Sequence, residues 1–315
     1  MVAVERATAP DAERSFAVGV PLDLRRTLGI HRRGRGDPAL RFEASGSAWR
    51  ATRTPDGAVT LLVEVHGGAV RGRAWGPGAG WALDRLSELV GLDDRPEALR
   101  PAHPAVEAAA RRLRGMRIGR TSAVLEALVP AIIEQKVTGD EARHAYRALL
   151  WAYGEPAPGP PGLRLPPAPG ILAALPYHAL HPLGLERRRA ELIRAVAREA
   201  PRLERLASIG GGPNGDPGPA YAVLQAFPGI GPWTAAEVGI RAFGDPDAVS
   251  VGDFHLPSMV TWALAGERRG TDERMLELLE PYRGQRGRVL RLLELAGMGA
   301  PRRGPRMAGR RIADI

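Results

Sequence analysis

The chain has 315 residues, 44% hydrophobic and 25% charged, enough for two domains at about 150 residues each and for a core that needs no covalent staple. Lys+Arg at 44 against Asp+Glu at 35 leaves a formal net charge of +9. This favours an anionic partner, nucleic acid first, although the bias to Arg (Lys136 is the only lysine) is also what GC-rich coding produces. The absence of cysteine excludes a Cys-ligated iron–sulfur cluster, a Cys-rich zinc site, a cysteine nucleophile and disulfides. No run approaches ~20 apolar residues and the start carries no basic-then-apolar leader, so no membrane contact and a cytoplasmic location are expected.

Residues 1–13 read as a flexible arm, and residues 14–97 as a small α+β domain. FAVGV, LRFEA, AWRATR and VTLLVEVH are short and either β-branched or alternating, and Pro55-Asp56-Gly57 between the last two predicts a hairpin. Leu83, Leu86 and Leu89 predict a helix over 81–90. From residue 98 to 300 the period is helical. Val124, Leu125, Leu128, Val129, Ile132 and Ile133 share one stripe, with Ser122 as N-cap and Pro130 as a kink or effective start. A second helix follows Thr138-Gly139-Asp140 and runs to about Tyr153. Residues 155–170 read as a Pro/Gly linker. Helices recur near 186–199, 219–226, 233–242, 255–264, 271–280 and 285–296. Residues 210–218 read as a flexible loop without the GK[ST] ending of a P-loop, and 301–315 as a basic tail. The fold class is α+β overall: a small N-terminal antiparallel-sheet domain with helices, followed by an all-α domain.

The informative stretch is LQAFPGIGPWTAAEVGIRAFGDPDAVSVGDFHL, residues 224–256. Pro228-Gly229-Ile230-Gly231 predicts a tight hairpin between helices, its two glycines permitting positive φ and close backbone approach. Pro232 suits the first turn of the next helix, whose free N–H groups, with the glycine amides, make an anion nest for a phosphate. Such a nest holds a nucleic-acid backbone without reading bases. A plain helix–helix turn is the other reading of PGIG, and an N-cap is the other reading of Asp253 in VGDFHL. The seven histidines show no metal pattern; His178 and His181 lack a third ligand, and His255 is expected on a helix near DNA.

This stretch resembles the helix-hairpin-helix-plus-aspartate motif of a DNA repair glycosylase superfamily, most closely the 3-methyladenine DNA glycosylase II type. IIEQKVTGDEA, LGLERRRAELIRAVA and Pro281-Tyr282-Arg283 resemble further segments of that type, so the likeness covers roughly 104–296. It implies that the helical domain is a helix-hairpin-helix glycosylase domain. The implied function is that of a monofunctional base-excision-repair enzyme that flips an alkylated purine from duplex DNA, hydrolyses its N-glycosidic bond and leaves an abasic site. Asp253 falls on the catalytic carboxylate, which would stabilise oxocarbenium charge on the sugar. Trp233 stands where relatives with lyase activity carry a Schiff-base lysine, so no lyase step is expected.

The resemblance places Trp233, Glu237 and Phe254 at the base pocket, with the Trp233 ring suited to a cationic alkylated base. Glu237 replaces an aromatic residue of the type, either to attract a cationic base, to hydrogen-bond a particular one, or as a surface residue, and the aromatic residue of the last helix is missing near Arg291-Leu292. DNA contacts are expected from Gly229, Ile230, Gly231 and Thr234, from Gln135 and Lys136 at the duplex-wedge loop, and from Arg283 and Arg286. The carbonyls of Gln225, Phe227 and Ile230 match positions that hold a monovalent cation, Na or K; no cofactor is otherwise required. The expected partner is double-stranded DNA with damaged bases, bound by a monomer. The alternatives are a glycosylase for a deaminated or oxidised base, and a non-catalytic DNA-binding or damage-sensing protein.

Overall fold

The computed structural model describes residues 9–160, 162–212 and 215–299; the expected tail at 301–315 and the first part of the arm lie outside them. The strand-like segments form β1 (Ala12–Ala17), β2 (Leu40–Phe42), β3 (Ala48–Thr54), β4 (Gly57–His66) and β5 (Ala69–Trp75). They pair antiparallel in the order β1-β5-β4-β3-β2. The β3–β4 hairpin turns at Pro55-Asp56, with Thr54 opposite Gly57, as the turn residues require. The expected arm overlaps the sheet: β1 starts at Ala12, and Asp11 N–H already donates to Ala74 C=O at 2.9 Å.

Val59, Leu61 and Val63 alternate onto one face and are buried against Leu83 and Leu86. These leucines come from two short helices, Ala79–Asp84 and Leu86–Leu89, not the single helix the spacing suggests. The chain leaves helical geometry at Arg85 (φ −102°, ψ 10°). The opposite face is covered by the Pro/Gly-rich segment. Its Leu163 and Leu165 are buried with Ala51 against Trp49 and Ala58, and Ala157 N–H donates to Leu163 C=O at 2.9 Å. Residues 155–160 and 162–170 are therefore packed structure rather than a linker: a sheet with apolar residues on both faces needs a second cover.

The longer helices are α1 (Pro104–Arg112), α2 (Val124–Ile133), α3 (Gly139–Tyr153), α4 (Arg187–Arg198), α5 (Gly218–Gln225), α6 (Pro232–Val238), α7 (Leu256–Ala265), α8 (Asp272–Leu279) and α9 (Arg286–Leu295). They build two cores. One gathers Leu128, Ile132, Leu149, Ile193, Leu224 and Phe243 from α2 to α6 and the wide turn after it. The other gathers Val106, Val260, Met275, Leu279, Val289 and Leu293 from α1, α7, α8 and α9.

Helix α2 is buried on nearly every side, so its start cannot be capped by water. Ser122, the expected cap, has φ +53°, and the Glu204 carboxylate accepts instead from Val124 N–H (2.8 Å) and Leu125 N–H (2.9 Å). Pro130 lies inside α2 and neither starts nor ends it. Thr138 caps α3 in a reciprocal box with Glu141. Ion pairs stitch the sheet domain to the helices: Arg33–Glu134 (2.7 Å), Arg50–Glu126 (2.5 Å) and Arg288–Asp94, the last with both side chains buried. Among the described residues no helix is long and apolar enough to cross a membrane.

Candidate active site and DNA-binding face

The site sits where the two helical cores meet. Trp233 comes from the first turn of α6, in the first core, and Asp253 from the loop entering α7, in the second. Trp233 Nε1–H donates to Asp253 Oδ2 at 3.0 Å, and the N–H groups of His255 (2.7 Å) and Leu256 (2.9 Å) donate to Oδ1. Asp253 stands two residues before the N-cap His255, so Oδ1 braces the entry to α7 while Oδ2 faces Trp233. Asp253 and Trp233 are half-buried, so the carboxylate is fixed yet reachable.

The turn before α6 is braced from α2. Gln135 Nε2 donates to Gly229 C=O (3.0 Å) and to Thr234 Oγ1 (2.9 Å). Gln135 and Thr234, expected as DNA contacts, are therefore bonded to each other, and Thr234 is only 2% exposed. The Ile230 side chain is likewise buried, and its N–H donates to Phe227 C=O at 3.0 Å. The two glycines differ in what the turn asks of them. Gly229 has φ +104°, with Leu192 3.1 Å from where a Cβ would stand. Gly231 has φ −100°, and nothing lies within 4 Å of its Cβ position. Gly229 is needed by the turn, whereas Gly231 leaves open space in front of the α6 amides.

Lys136 follows Gln135 with φ +55° and an exposed side chain. Positive φ is uncommon outside glycine, and here it sets the one lysine at the tip of the turn after α2. Arg283 is exposed and pairs with Glu280 (2.6 Å), while Arg286 pairs with Asp247 (2.5 Å) and is not free for a phosphate. Phe254 is 84% exposed, with its ring edge-on to His255. Its side chain is packed against neither Trp233 nor Glu237 in any ring contact among the described residues.

Glu237 lies one turn beyond Trp233 on the same face of α6. It is neither a surface residue nor an unpaired charge awaiting a cation. Arg241 Nη1 donates to its Oε2 (2.5 Å) and Ser250 Oγ–H to its Oε1 (2.7 Å). Burial alone would raise its pKa, but Arg241, the Ser250 hydroxyl and Arg33 outweigh burial and hold it below the ordinary carboxylate value. Arg241 and Ser250 were not legible as site residues, although the i,i+4 spacing of Glu237 and Arg241 was a signal for the pair. A cavity of about 730 Å³ opens on another face of α6, lined by Gln225, Pro232, Ala236, Asp245 and Arg286 among others. Neither Trp233, Glu237 nor Asp253 lines it, so the fixed carboxylate rather than this cavity marks the site.

No protein-family model matches the chain. It is 32% identical over 181 residues, 56% of the chain and 35% of the relative, to a probable bifunctional transcriptional activator/DNA repair enzyme AlkA of Mycobacterium tuberculosis. It is 30% identical over 178 residues to the DNA-3-methyladenine glycosylase 2 of Escherichia coli, covering 56% of the chain and 61% of that enzyme. The chain thus spans between a third and two thirds of the length of these curated relatives. A 3-methyladenine DNA glycosylase from Archaeoglobus fulgidus shares the fold, with TM-score 0.75 and 22% identity over 90% of this chain and 97% of that one. So does an 8-oxoguanine glycosylase/lyase from Clostridium acetobutylicum, with TM-score 0.67 and 13% identity over 91% and 97%.

Proposed function

From a chain that resembles the helix-hairpin-helix DNA glycosylases of the 3-methyladenine DNA glycosylase II type in sequence and in fold, we infer a monofunctional DNA N-glycosylase of base excision repair acting on alkylated purines. The observation that carries this reading is the Asp253 carboxylate, held by Trp233 on one oxygen and by the start of α7 on the other, beside a hairpin suited to a phosphate.

The chemistry follows from that placement. A base stacked in a duplex cannot reach Asp253, so its nucleotide is extruded. As the bond between base and C1′ lengthens, positive charge grows on the sugar and the base leaves with the bonding electrons. A carboxylate held in place before the reaction stabilises that charge without reorganising. Asp253 accepts three hydrogen bonds and keeps a lone pair on Oδ2 that orients the water adding to C1′ and accepts the proton this water gives up, which then passes to solvent. The products are the free base and an intact abasic sugar. Trp233 has no amine, so no Schiff base forms there.

The phosphate flanking the extruded nucleotide would sit before Gly231, where the N–H groups of the first α6 turn precede the first helical bond, Ala235 N–H to Gly231 C=O (3.0 Å). A Na or K ion on the carbonyls of Gln225, Phe227 and Ile230 fits this turn. Gln225 ends α5, and the Phe227 carbonyl, bonded once to Ile230 N–H, keeps a second lone pair. The ion would add positive charge beside that phosphate. The substrate is damaged duplex DNA, bound by a monomer.

The test is base release from randomly methylated duplex DNA by wild type and Asp253→Asn. The asparagine oxygen can still brace the entry to α7, so folding and DNA binding are expected to persist while release falls a hundredfold or more (~10²). Release by the variant at the wild-type rate would remove Asp253 from the mechanism. No release of any base by folded, DNA-binding wild type would favour a damage-sensing module.

A further inference from the structure

Glu237 and Arg241 form a largely buried ion pair, to which Ser250 adds a hydrogen bond. Burying a carboxylate and a guanidinium costs desolvation that an apolar pair would avoid, so a buried pair is weak evidence of stabilisation alone. Here the pair is not sealed: the Glu237 and Arg241 side chains keep 16% and 13% of their exposure. Glu237 lies on the face of α6 that carries Trp233, and Arg241 in the turn that follows, where it lines a small void with His31, Arg33 and Glu126. Each Glu237 oxygen accepts one hydrogen bond, from Ser250 or from Arg241, and so each retains a lone pair. Arg241 is pinned through Nε to Ile30 C=O (3.2 Å) and through Nη1 to Glu237, while its Nη2 makes no hydrogen bond among the described residues. Arg291 approaches from α9, its Nη2 3.9 Å from where a Gly29 Cβ would stand. His31 of the same loop is buried and kept neutral, first by burial and then by Arg50, Arg241, Arg33 and Arg291.

Resting on the glycosylase reading, we infer that Ser250, Glu237 and Arg241 set the base specificity of this site, and that they select 6-oxopurines (guanine- and hypoxanthine-type bases) over 6-aminopurines. A 6-oxopurine carries a proton on N1 next to a carbonyl at C6. Its N1–H donates to the remaining lone pair of Glu237, and its O6 accepts from Arg241 Nη2. A 6-aminopurine reverses both groups and sets N1, an acceptor, against the carboxylate. A site built to pair a particular edge discriminates strongly because the wrong edge leaves its polar groups unpaired. The charge of an alkylated base matters less, since Arg241 already balances Glu237.

Duplexes carrying one 7-methylguanine or one 7-methyladenine isolate this edge, because both bases are alkylated at the same atom, are cationic while bonded to the sugar and leave as neutral bases. Single-turnover release rates, each divided by the spontaneous loss rate of the same base, give the preference. Wild type is expected to favour 7-methylguanine by at least about tenfold. In Ser250→Ala, which frees one oxygen of Glu237, the preference is expected to shrink several-fold. In Glu237→Gln, whose amide can serve either edge, it should approach one. Equal release by wild type, a preference for 7-methyladenine, or an unchanged preference in folded Ser250→Ala would overturn the inference. A hypoxanthine duplex separates the two levels. Release of hypoxanthine but of neither methylated base supports the edge selection and removes the alkylpurine assignment. Release of no base by folded, DNA-binding wild type defeats the glycosylase reading and this inference with it.

Discussion

At the scale of single residues, the site is governed by how two carboxylates are held. Asp253 is positioned by one tryptophan N–H and two backbone N–H groups, all donors aimed at its ionised form. Trp233→Phe keeps a ring of similar bulk and deletes only the donor. Single-turnover release is expected to drop about tenfold, the worth of one charge-assisted hydrogen bond, while affinity for abasic DNA stays near wild type. Equal loss in both would instead mark Trp233 as a binding residue. Glu237 is held below the ordinary carboxylate range despite its burial, so its contribution to stability is present above that range. That contribution is lost as pH falls through its lower folded pKa. Glu237→Gln, which leaves Arg241 uncompensated, is expected to cost about 3 kcal/mol at neutral pH. The gap from wild type should close in denaturant melts as pH drops below the carboxylate range; a gap constant down to pH ~3 would contradict the assignment.

At the scale of elements, the hairpin shows why two glycines in one motif are not equivalent. Gly229→Ala forces a side chain onto φ +104° and towards Leu192, so it is expected to destabilise the fold by about 1–2 kcal/mol. Gly231→Ala meets nothing in the free protein and should leave the melting curve within about 0.5 kcal/mol of wild type. With the proposed phosphate before α6, an added Cβ is expected to crowd it and to lower DNA affinity regardless of sequence. Paired melts and binding titrations separate the two, and an unaltered affinity in Gly231→Ala would place the backbone contact elsewhere. The same scale explains the cap of α2. A helix buried on nearly every side takes its cap from a distant carboxylate, Glu204, because the local serine sits at positive φ.

At the scale of the molecule, the sheet domain is locked to the helices by buried charges. Arg288 and Asp94 are both almost fully buried, and Asp94 also accepts from Ile118 N–H at 2.9 Å. Asp94→Ala strands a buried guanidinium and is expected to cost about 3 kcal/mol in a denaturant melt. Neither side chain bonds to Trp233, Glu237 or Asp253 among the described residues, so base release at low temperature should survive. A melt unchanged from wild type would show that the seam is held by apolar packing instead.

How much of this was legible in the sequence differs by range of interaction. Strands β3 and β4, their turn, and most of the longer helices could be read from periodicity and turn residues, because those signals are local. The turn at Gly229 could be read from its glycines, whereas Trp233 and Asp253 were marked only by the family resemblance; the structure brings these two within hydrogen-bond distance. Tertiary structure alone decided the rest. It turned residues 155–160 and 162–170 from an apparent linker into the cover of a sheet face, since burial of Leu163 and Leu165 depends on a distant strand. It committed Gln135 and Thr234 to each other, and it put Phe254 in solvent. It also joined Glu237 to Ser250, thirteen residues away, and set Arg33 beside Glu134 across 101 positions. A charged side chain carries no sequence mark of its partner; only the packed chain determines which carboxylate stays free and which is already satisfied.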